Sequence, residues 1–165
     1  MNKSLFAAAL LAGLLAGPAH AQTNVGDWTV EKRAKDTHCN ASRGYKDKED
    51  DDRDYGIVLS YSADKVVIVL IYDGWEWENT GEMLRADFAT DRDDIMRKSK
   101  WEVMDKTTVR GVFEFDQRIL DRLARAKRLH VDFEEDDDDD NSIELETPRA
   151  AEMLAALKFC EENRK

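Results

Sequence analysis

The stretch YGIVLSYSADKVVIVLIY, residues 55–72, decides the fold class of this chain. It contains two runs rich in β-branched and apolar residues, Tyr55–Ser62 and Lys65–Tyr72, separated only by Ala63 and Asp64. Runs of this length and composition, joined by a short link, are typical of a β-hairpin. The pattern therefore predicts two neighbouring strands that pass through the core.

Shorter segments on both sides of this hairpin alternate apolar and polar residues, as strands with one buried face do. With the hairpin they give about eight short strands. The further strands are Trp28–Glu31, Met83–Thr90, Trp101–Met104, Thr107–Phe115, Leu129–Phe133 and Ser142–Glu146. Two charged segments cannot bury an apolar face, so we expect an exposed loop at His38–Asp54 and a short helical turn at Asp91–Lys98.

Two segments carry apolar residues at helical spacing. Gln117–Arg128 follows Asp116, a residue type that caps helix N-termini, and its leucines and isoleucine share one face. Thr147 and Pro148 predict the start of a final helix that runs to about Asn163. Because the predicted strands are mostly consecutive, we expect antiparallel pairing. The predicted class is α+β, mainly antiparallel β in a β-sandwich-like sheet, with one mid-chain helix and one C-terminal helix.

The first residues follow the three-part pattern of a cleavable signal peptide, Met1–Ala21. Lys3 precedes the apolar run Leu5–Leu15, and Ala19-His20-Ala21 places small residues at the cleavage site. The run is shorter than the roughly 20 residues that a membrane-spanning helix needs. We therefore expect residues 22–165 to be one β-rich domain without a transmembrane segment, periplasmic or secreted, in a Gram-negative bacterium.

Both cysteines, Cys39 and Cys160, lie in the predicted mature chain. An oxidising compartment favours disulfides, and two cysteines allow only one bridge within the chain. Because neither residue belongs to a Cys-X-X-Cys motif, a structural disulfide fits better than a redox-active pair. The alternative is a pair of buried free thiols.

The balance of charges is acidic. The chain has 25 Lys and Arg and 36 Asp and Glu, a formal net charge of −11, and removal of Lys3 with the signal peptide would leave 24 against 36, or −12. This charge repels nucleic acids and anionic lipids, and it favours cationic partners. The alternative is that acidity only keeps an exported protein in solution.

Three aromatic residues, Tyr72, Trp75 and Trp77, form the best candidate binding surface. Gly74 and Gly81 bracket the two tryptophans, which suggests a projection near a loop. Aromatic rings on such a projection can stack on sugars or anchor a protein interface. The alternative is that one or both indoles cover an end of the core.

The most distinctive acidic run contains five weak candidates for metal ligands: Asp136, Asp137, Asp138, Asp139 and Asp140. Carboxylates suit Ca²⁺, but an ordered calcium loop needs spaced ligands and a turn glycine, which this run lacks. The alternative is a solvated hairpin loop. Motifs for nucleophilic catalysis, zinc hydrolysis and phosphate binding are absent from the sequence, so we predict neither an enzyme nor a cofactor.

Both ends of the predicted domain resemble the invasion-associated locus B-like small periplasmic proteins of proteobacteria. The resemblance rests on Gly26-Asp27-Trp28-Thr29-Val30 with Cys39 after it, and on Ile143–Glu146, the Ala-rich helix Ala150–Leu157 and Cys160. It implies a β-rich periplasmic or surface-associated domain, with a role in host association for some members. It supplies no catalytic residues.

Taken together, these features predict a non-enzymatic exported domain, periplasmic or surface-associated, that recognises a protein or a component of the cell envelope. The segment Tyr72–Trp77 would provide apolar contact, and the acidic segments would attract a cationic partner. Two alternatives stay open. One is an acidic inhibitor of a basic envelope hydrolase, and the other is a protein that binds divalent cations weakly.

Overall fold

A computed structural model describes residues 22–48, 52–134 and 141–164, and these ranges form ten strands and two helices. The strands are β1 (Thr23–Val25), β2 (Trp28–Glu31), β3 (Asn40–Asp47), β4 (Arg53–Tyr61), β5 (Lys65–Tyr72), β6 (Met83–Thr90), β7 (Asp94–Asp105), β8 (Thr108–Glu114), β9 (Arg128–Phe133) and β10 (Ser142–Glu146). The helices are α1 (Gln117–Arg125) and α2 (Ala150–Glu162). The predicted signal peptide, residues 1–21, lies outside the described residues.

All the described strands belong to one sheet with the order β1-β2-β3-β4-β5-β8-β7-β6-β9-β10, and every neighbouring pair is antiparallel. The predicted hairpin forms its centre, with β4 and β5 paired from Tyr55↔Tyr72 to Tyr61↔Val66. The predicted class, α+β with mainly antiparallel strands, one mid-chain helix and one C-terminal helix, is confirmed.

The core lies on the inner face of the sheet, where alternate residues of each strand point. Trp28, Ile68, Phe88 and Trp101 come from four different strands and are each at most 1% exposed. Helix α1 buries Ile119, Leu120 and Leu123, and helix α2 buries Ala150, Met153, Leu154 and Leu157. The two helices pack on each other, and α2 also packs on β1, β2 and β3, so the helices complete the core.

Side chains join the two ends of the sheet. The indole Nε1 of Trp28 on β2 donates to the carbonyl of Pro148, just after β10, at 3.0 Å. Arg43 on β3 donates to the carbonyl of Glu146 at 3.0 Å, and the hydroxyl of Tyr45 donates to the same oxygen. The sheet therefore curls until its ends meet around one core.

The exposed loop predicted at His38–Asp54 is wrong, because Asn40–Asp47 forms β3 and Arg53 begins β4. Arg43 faces inward on β3 despite its charge, since its guanidinium lies 4.6 Å from the centre of the Tyr45 ring and donates to backbone. Acceptors for its two terminal nitrogens and an aromatic face make burial of this arginine tolerable, although its buried Nε has no hydrogen-bond partner among the described residues. Sequence periodicity alone does not reveal such partners.

Two further predictions at element ends are also wrong. The expected helical turn at Asp91–Lys98 contains the start of β7, which pairs irregularly with β6 and places Ile95 and Met96 against the core. The final helix begins at Ala150, because the Thr147 hydroxyl donates to the carbonyl of Ala126 at 3.1 Å instead of capping the helix.

One pair of glycines faces the outer side of the sheet. Gly44 on β3 lies directly opposite Gly56 on β4. A Cβ atom placed on Gly44 would meet no atom within 4 Å, whereas a Cβ on Gly56 would lie 2.9 Å from the carbonyl oxygen of Arg43. The two positions therefore differ in how much room they leave for a side chain.

We expect Gly56→Ala to lower the free energy of unfolding by about 1–3 kcal/mol, because the added methyl group presses on the backbone of β3. Gly44→Ala should leave stability unchanged or raise it by up to about 1 kcal/mol, because it only restricts the unfolded chain. Urea unfolding of both variants measures the difference. Equal midpoints for the two variants would contradict this description of the pair.

Candidate functional site

The two tryptophans of the predicted aromatic surface are buried. Trp75 is 4% exposed and Trp77 is 8% exposed, while Tyr72 is partly buried at the end of β5. The expected accessible platform is therefore corrected: the indoles cover an end of the core, which was the alternative reading of the sequence. Any role of these three residues in binding stays a prediction.

A continuous series of ring contacts explains this burial. Tyr45 stacks on Tyr55 with ring centres 4.8 Å apart, and Tyr72 lies edge-on to Trp75 at 5.8 Å. Trp75 then contacts Phe133, the last residue of β9, at 5.6 Å. Edge-to-face pairs of this kind stabilise by about 0.5–1.5 kcal/mol beyond the area that they bury. The rings close the core between β3 and β9.

The strand register places the described residues that flank the two acidic runs at one end of the sheet. β3, β5, β7 and β9 all finish at this end, which we call the acidic rim. Pairs that fix the alignment are Asp47↔Arg53, Tyr55↔Tyr72, Ile71↔Thr108, Met83↔Glu102 and Ala86↔Phe133. The acidic residues 49–51 link β3 to β4, and residues 135–140 link β9 to β10. Hence the two runs are attached to the same rim.

Most of the net charge belongs to these two links. Nine of the 36 acidic residues and two of the 25 basic residues lie outside the described ranges, which leaves 27 acidic and 23 basic residues within them. The described part therefore carries −4 of the formal −11, and all nine undescribed acidic residues are in residues 49–51 and 135–140. Most of the net negative charge therefore belongs to two links whose flanking strands end at the acidic rim.

Exposed carboxylates of the described residues add to this rim. They are Asp52, Asp54, Asp73, Glu76, Glu78, Glu82 and Asp105. The opposite end of the sheet carries α1, whose exposed or partly buried arginines include Arg118, Arg122 and Arg125. Acidic residues such as Asp93, Glu114 and Asp121 lie at that end as well, so the two ends differ chiefly in the acidic links that are attached to the rim.

The candidate metal ligands Asp136, Asp137, Asp138, Asp139 and Asp140 lie outside the described residues. Within the described ranges, no group of three or more His, Cys, Asp or Glu side chains is arranged to hold a metal ion. Binding of divalent cations stays a prediction for the undescribed run.

A groove on the outer face of the sheet was missed by the sequence analysis. It has a volume of about 610 Å³, and Gly44 and Gly56 lie within its lining between Thr29, Ser42, Val58 and Ile71. Gly44 belongs to the segment predicted as a loop, so its pairing with Gly56 was not expected. The available signal was the glycine on each side of the charged segment 46–54, since glycines in strands often mark a close approach of another molecule to the backbone.

The predicted disulfide between Cys39 and Cys160 is present, with Cα atoms 6.1 Å apart and a sequence separation of 121. It joins the segment before β3 to α2. Beside it, Glu161 accepts a hydrogen bond from the backbone N–H of Cys39 at 3.0 Å and lies 2.8 Å from Nδ1 of His38. Arg164 also contacts this carboxylate, at 3.1 Å. The disulfide and the hydrogen bonds of the Glu161 carboxylate therefore both hold α2 against the sheet.

Removing the disulfide should cost about 3–5 kcal/mol of the free energy of unfolding, because the closed loop is long. The double variant Cys39→Ala, Cys160→Ala tests this by urea unfolding. Wild-type protein in the presence of a reductant is the matched control and should lose a similar amount. Unfolding curves that superimpose for the variant and the oxidised wild type would contradict the role of this bond.

Glu161 should make stability depend on pH. Burial raises the pKa of its carboxyl group, but the hydrogen bonds from Cys39 and His38 and the charge of Arg164 lower it by more, so the pKa lies below its usual value. The folded state is then favoured above the ordinary carboxyl pKa, and this contribution is lost as the pH falls through the lowered value.

We expect Glu161→Gln to lower the free energy of unfolding by about 1–2 kcal/mol at pH 7, with the difference from wild type shrinking below about pH 4. Thermal unfolding across this pH range measures the effect. Glu162→Gln, a change at the exposed neighbouring position, should behave as wild type. A difference between Glu161→Gln and wild type that is constant with pH would refute this role.

Neither of the two described helices has the length and apolar character that crossing a membrane requires. The acidic rim, the outer groove and the disulfide are the features from which a function has to be inferred. Comparison with known proteins adds none: the chain matches no protein-family model, no curated protein and no solved structure.

Proposed function

We propose that this chain is an exported, non-enzymatic binding domain that recognises a basic protein or another cationic component of the cell envelope through its acidic rim. The observation that carries the proposal is that both acidic runs, residues 49–51 and 135–140, are attached to the same end of the sheet. Export to the periplasm or beyond is part of the proposal, and the disulfide supports it because such bonds persist in oxidising compartments.

Concentrated charge supports recognition through long-range attraction. The two links attached to the rim carry nine carboxylates by sequence, and exposed carboxylates such as Asp52 and Glu78 lie at the same rim. A concentration of negative charge attracts cations over about one Debye length, roughly 8 Å at physiological salt. Such a field raises the rate of association with a cationic partner and orients the encounter. Negative charge that served only solubility could be spread over the whole surface, so its attachment to one end of the sheet favours recognition.

A second candidate function is inhibition of a basic envelope hydrolase. The same polarity favours it, because an acidic rim can cover the cationic surface around the active site of such an enzyme. The two functions differ in outcome. A binding domain leaves its partner active, whereas an inhibitor slows hydrolysis in proportion to the complex formed.

The role of the rim in binding is tested by replacing carboxylates with amides, which removes their charge and keeps the shape of the side chain. One variant changes Asp136–Asp140 to asparagine, and a matched control removes five charges at the opposite end of the domain. The control changes are Asp93→Asn, Asp94→Asn, Glu114→Gln, Asp121→Asn and Glu162→Gln. The affinity of each protein for a cationic lysozyme, as a basic probe, is measured at low and physiological salt, together with the activity of the enzyme.

We expect the rim variant to lose at least tenfold in affinity and the control less than threefold, with binding of the wild type weakening as salt increases. Co-purification of tagged wild type and rim variant from envelope extract extends the test to natural partners. Equal losses in the two variants would contradict recognition through the rim. Failure of wild-type protein to bind the basic probe or any envelope component would contradict the proposed function itself.

A further inference from the structure

The strand β10 forms one edge of the sheet. Among the described residues it pairs only with β9, from Ser142↔Asp132 to Glu146↔Arg128, in an unbroken register. The strand at the other edge, β1, has three residues and packs on α2, whereas β10 has five. Of the two terminal strands, β10 therefore offers the longer edge to another molecule.

Hydrogen bonds on the two sides of β9 show which backbone groups of β10 face this edge. The N–H of Thr147 donates to the carbonyl of Lys127 at 2.8 Å, so the odd-numbered residues of β10 bond to β9. The N–H of Glu134, just after β9, donates to a carbonyl of β6 at 2.8 Å, which fits the same alternation. Because hydrogen-bonded and non-hydrogen-bonded positions alternate in an antiparallel pair, Glu144 and Glu146 direct their N–H and C=O groups away from β9.

The carbonyl oxygen of Glu146 shows what this edge binds. It accepts hydrogen bonds from the Arg43 side chain at 3.0 Å and from the Tyr45 hydroxyl. Both donors belong to β3, which forms no backbone pairing with β10. The backbone N–H and C=O of Glu144 have no such partner among the described residues. Unpaired groups of this kind are a template for a further strand.

The side chains of β10 define the strand that fits beside it. Ile143 and Leu145 face the core and are 6% and 0% exposed, whereas Glu144 and Glu146 are exposed on the outer face. Glu144 pairs with Arg128 at 3.2 Å, but the carboxylate of Glu146 takes part in no ion pair among the described residues. Opposite charges on neighbouring strands stabilise their pairing, and like charges destabilise it. An added strand therefore suits this edge when its outward residues are cationic and its inward residues apolar.

The same rule disfavours a second copy of this chain as the occupant. In an antiparallel pair of two β10 strands, the edge-facing residues of one copy lie opposite those of the other. Glu144 and Glu146 would then meet glutamates of the second copy across the interface, without an intervening cation. The charges of β10 thus select a different chain.

We propose that β10 binds the partner by strand addition, in which an extended segment of alternating Lys or Arg and apolar residues pairs antiparallel with Ser142–Glu146. The proposal rests on the proposed function and names the form in which the cationic partner is held. Backbone hydrogen bonds supply affinity in this mode, and the alternate side chains supply specificity. Arg43 and Tyr45, which occupy the Glu146 carbonyl, limit the added strand at one end.

The probe is a nine-residue peptide of alternating Lys and Val. A Lys that lies opposite Glu144 points its side chain outward and its N–H toward β10, so N-methylation of the Lys residues blocks pairing. N-methylation of the Val residues modifies only the far side. We expect the N-methyl-Val peptide to bind within threefold of the unmodified peptide, and the N-methyl-Lys peptide at least tenfold more weakly. A Glu/Val peptide should also bind at least tenfold more weakly.

Two variants change the edge itself. Glu144→Pro removes an N–H that bonds to no other strand, and Glu146→Lys reverses the unpaired charge; each should weaken binding of the Lys/Val peptide at least fivefold. Glu114→Lys is the matched control, since it makes the same charge change on β8, in the interior of the sheet, and should stay within twofold of wild type. Thermal unfolding confirms that each variant is folded. In wild type, the peptide should slow hydrogen exchange of the Glu144 and Glu146 amides.

Several results would overturn strand addition alone. They are equal binding of the two N-methylated peptides, protection of the Glu144 and Glu146 amides by dimerisation without peptide, and binding of cationic lysozyme without binding of the Lys/Val peptide. Each leaves recognition of cations by the rim in place as long as lysozyme binds. Failure of wild-type protein to bind the peptide, lysozyme and any envelope component would end both proposals.

Discussion

The register of the antiparallel sheet is the constraint on which the rest of the structure depends. Trp101 on β7 and Phe88 on β6 point inward, and their rings meet at 6.0 Å. A slip of one residue in either strand would turn its whole set of buried side chains to solvent, so the buried face fixes the register. The same register brings the β3–β4 and β9–β10 links to one rim, and it sets Gly44 opposite Gly56.

Closure of the sheet keeps these features in place. Trp28, Arg43 and Tyr45 reach the chain just after or at the end of β10, so the ends of the sheet are joined by side-chain hydrogen bonds to backbone. The bond between Cys39 and Cys160 then ties the segment before β3 to α2. A rigid scaffold of this kind lets surface chemistry vary at the rim and on the outer face while the core stays constant.

The central hairpin and the disulfide could be predicted from the sequence, because apolar runs and cysteine count are local signals. β3 could not, because its inward positions hold Ala41, Arg43 and Tyr45, and burial of Arg43 depends on Glu146, about a hundred residues away. Burial of Trp75 likewise depends on Phe133. The groove is formed where β3 pairs with β4, so it could not be predicted without β3. Long-range partners, rather than local composition, decided each of these cases.

The concentration of negative charge at one rim is tested most directly by paramagnetic relaxation with a small cationic spin probe in solution. Amide signals at the acidic rim, such as those of Asp52, Lys106 and Glu134, should broaden strongly at low salt, and those of Asp64 and Glu114 at the opposite end should broaden little. A neutral spin probe of similar size should broaden the amide signals of the two ends to the same extent. Uniform broadening by the cationic probe at both ends of the sheet would contradict the account.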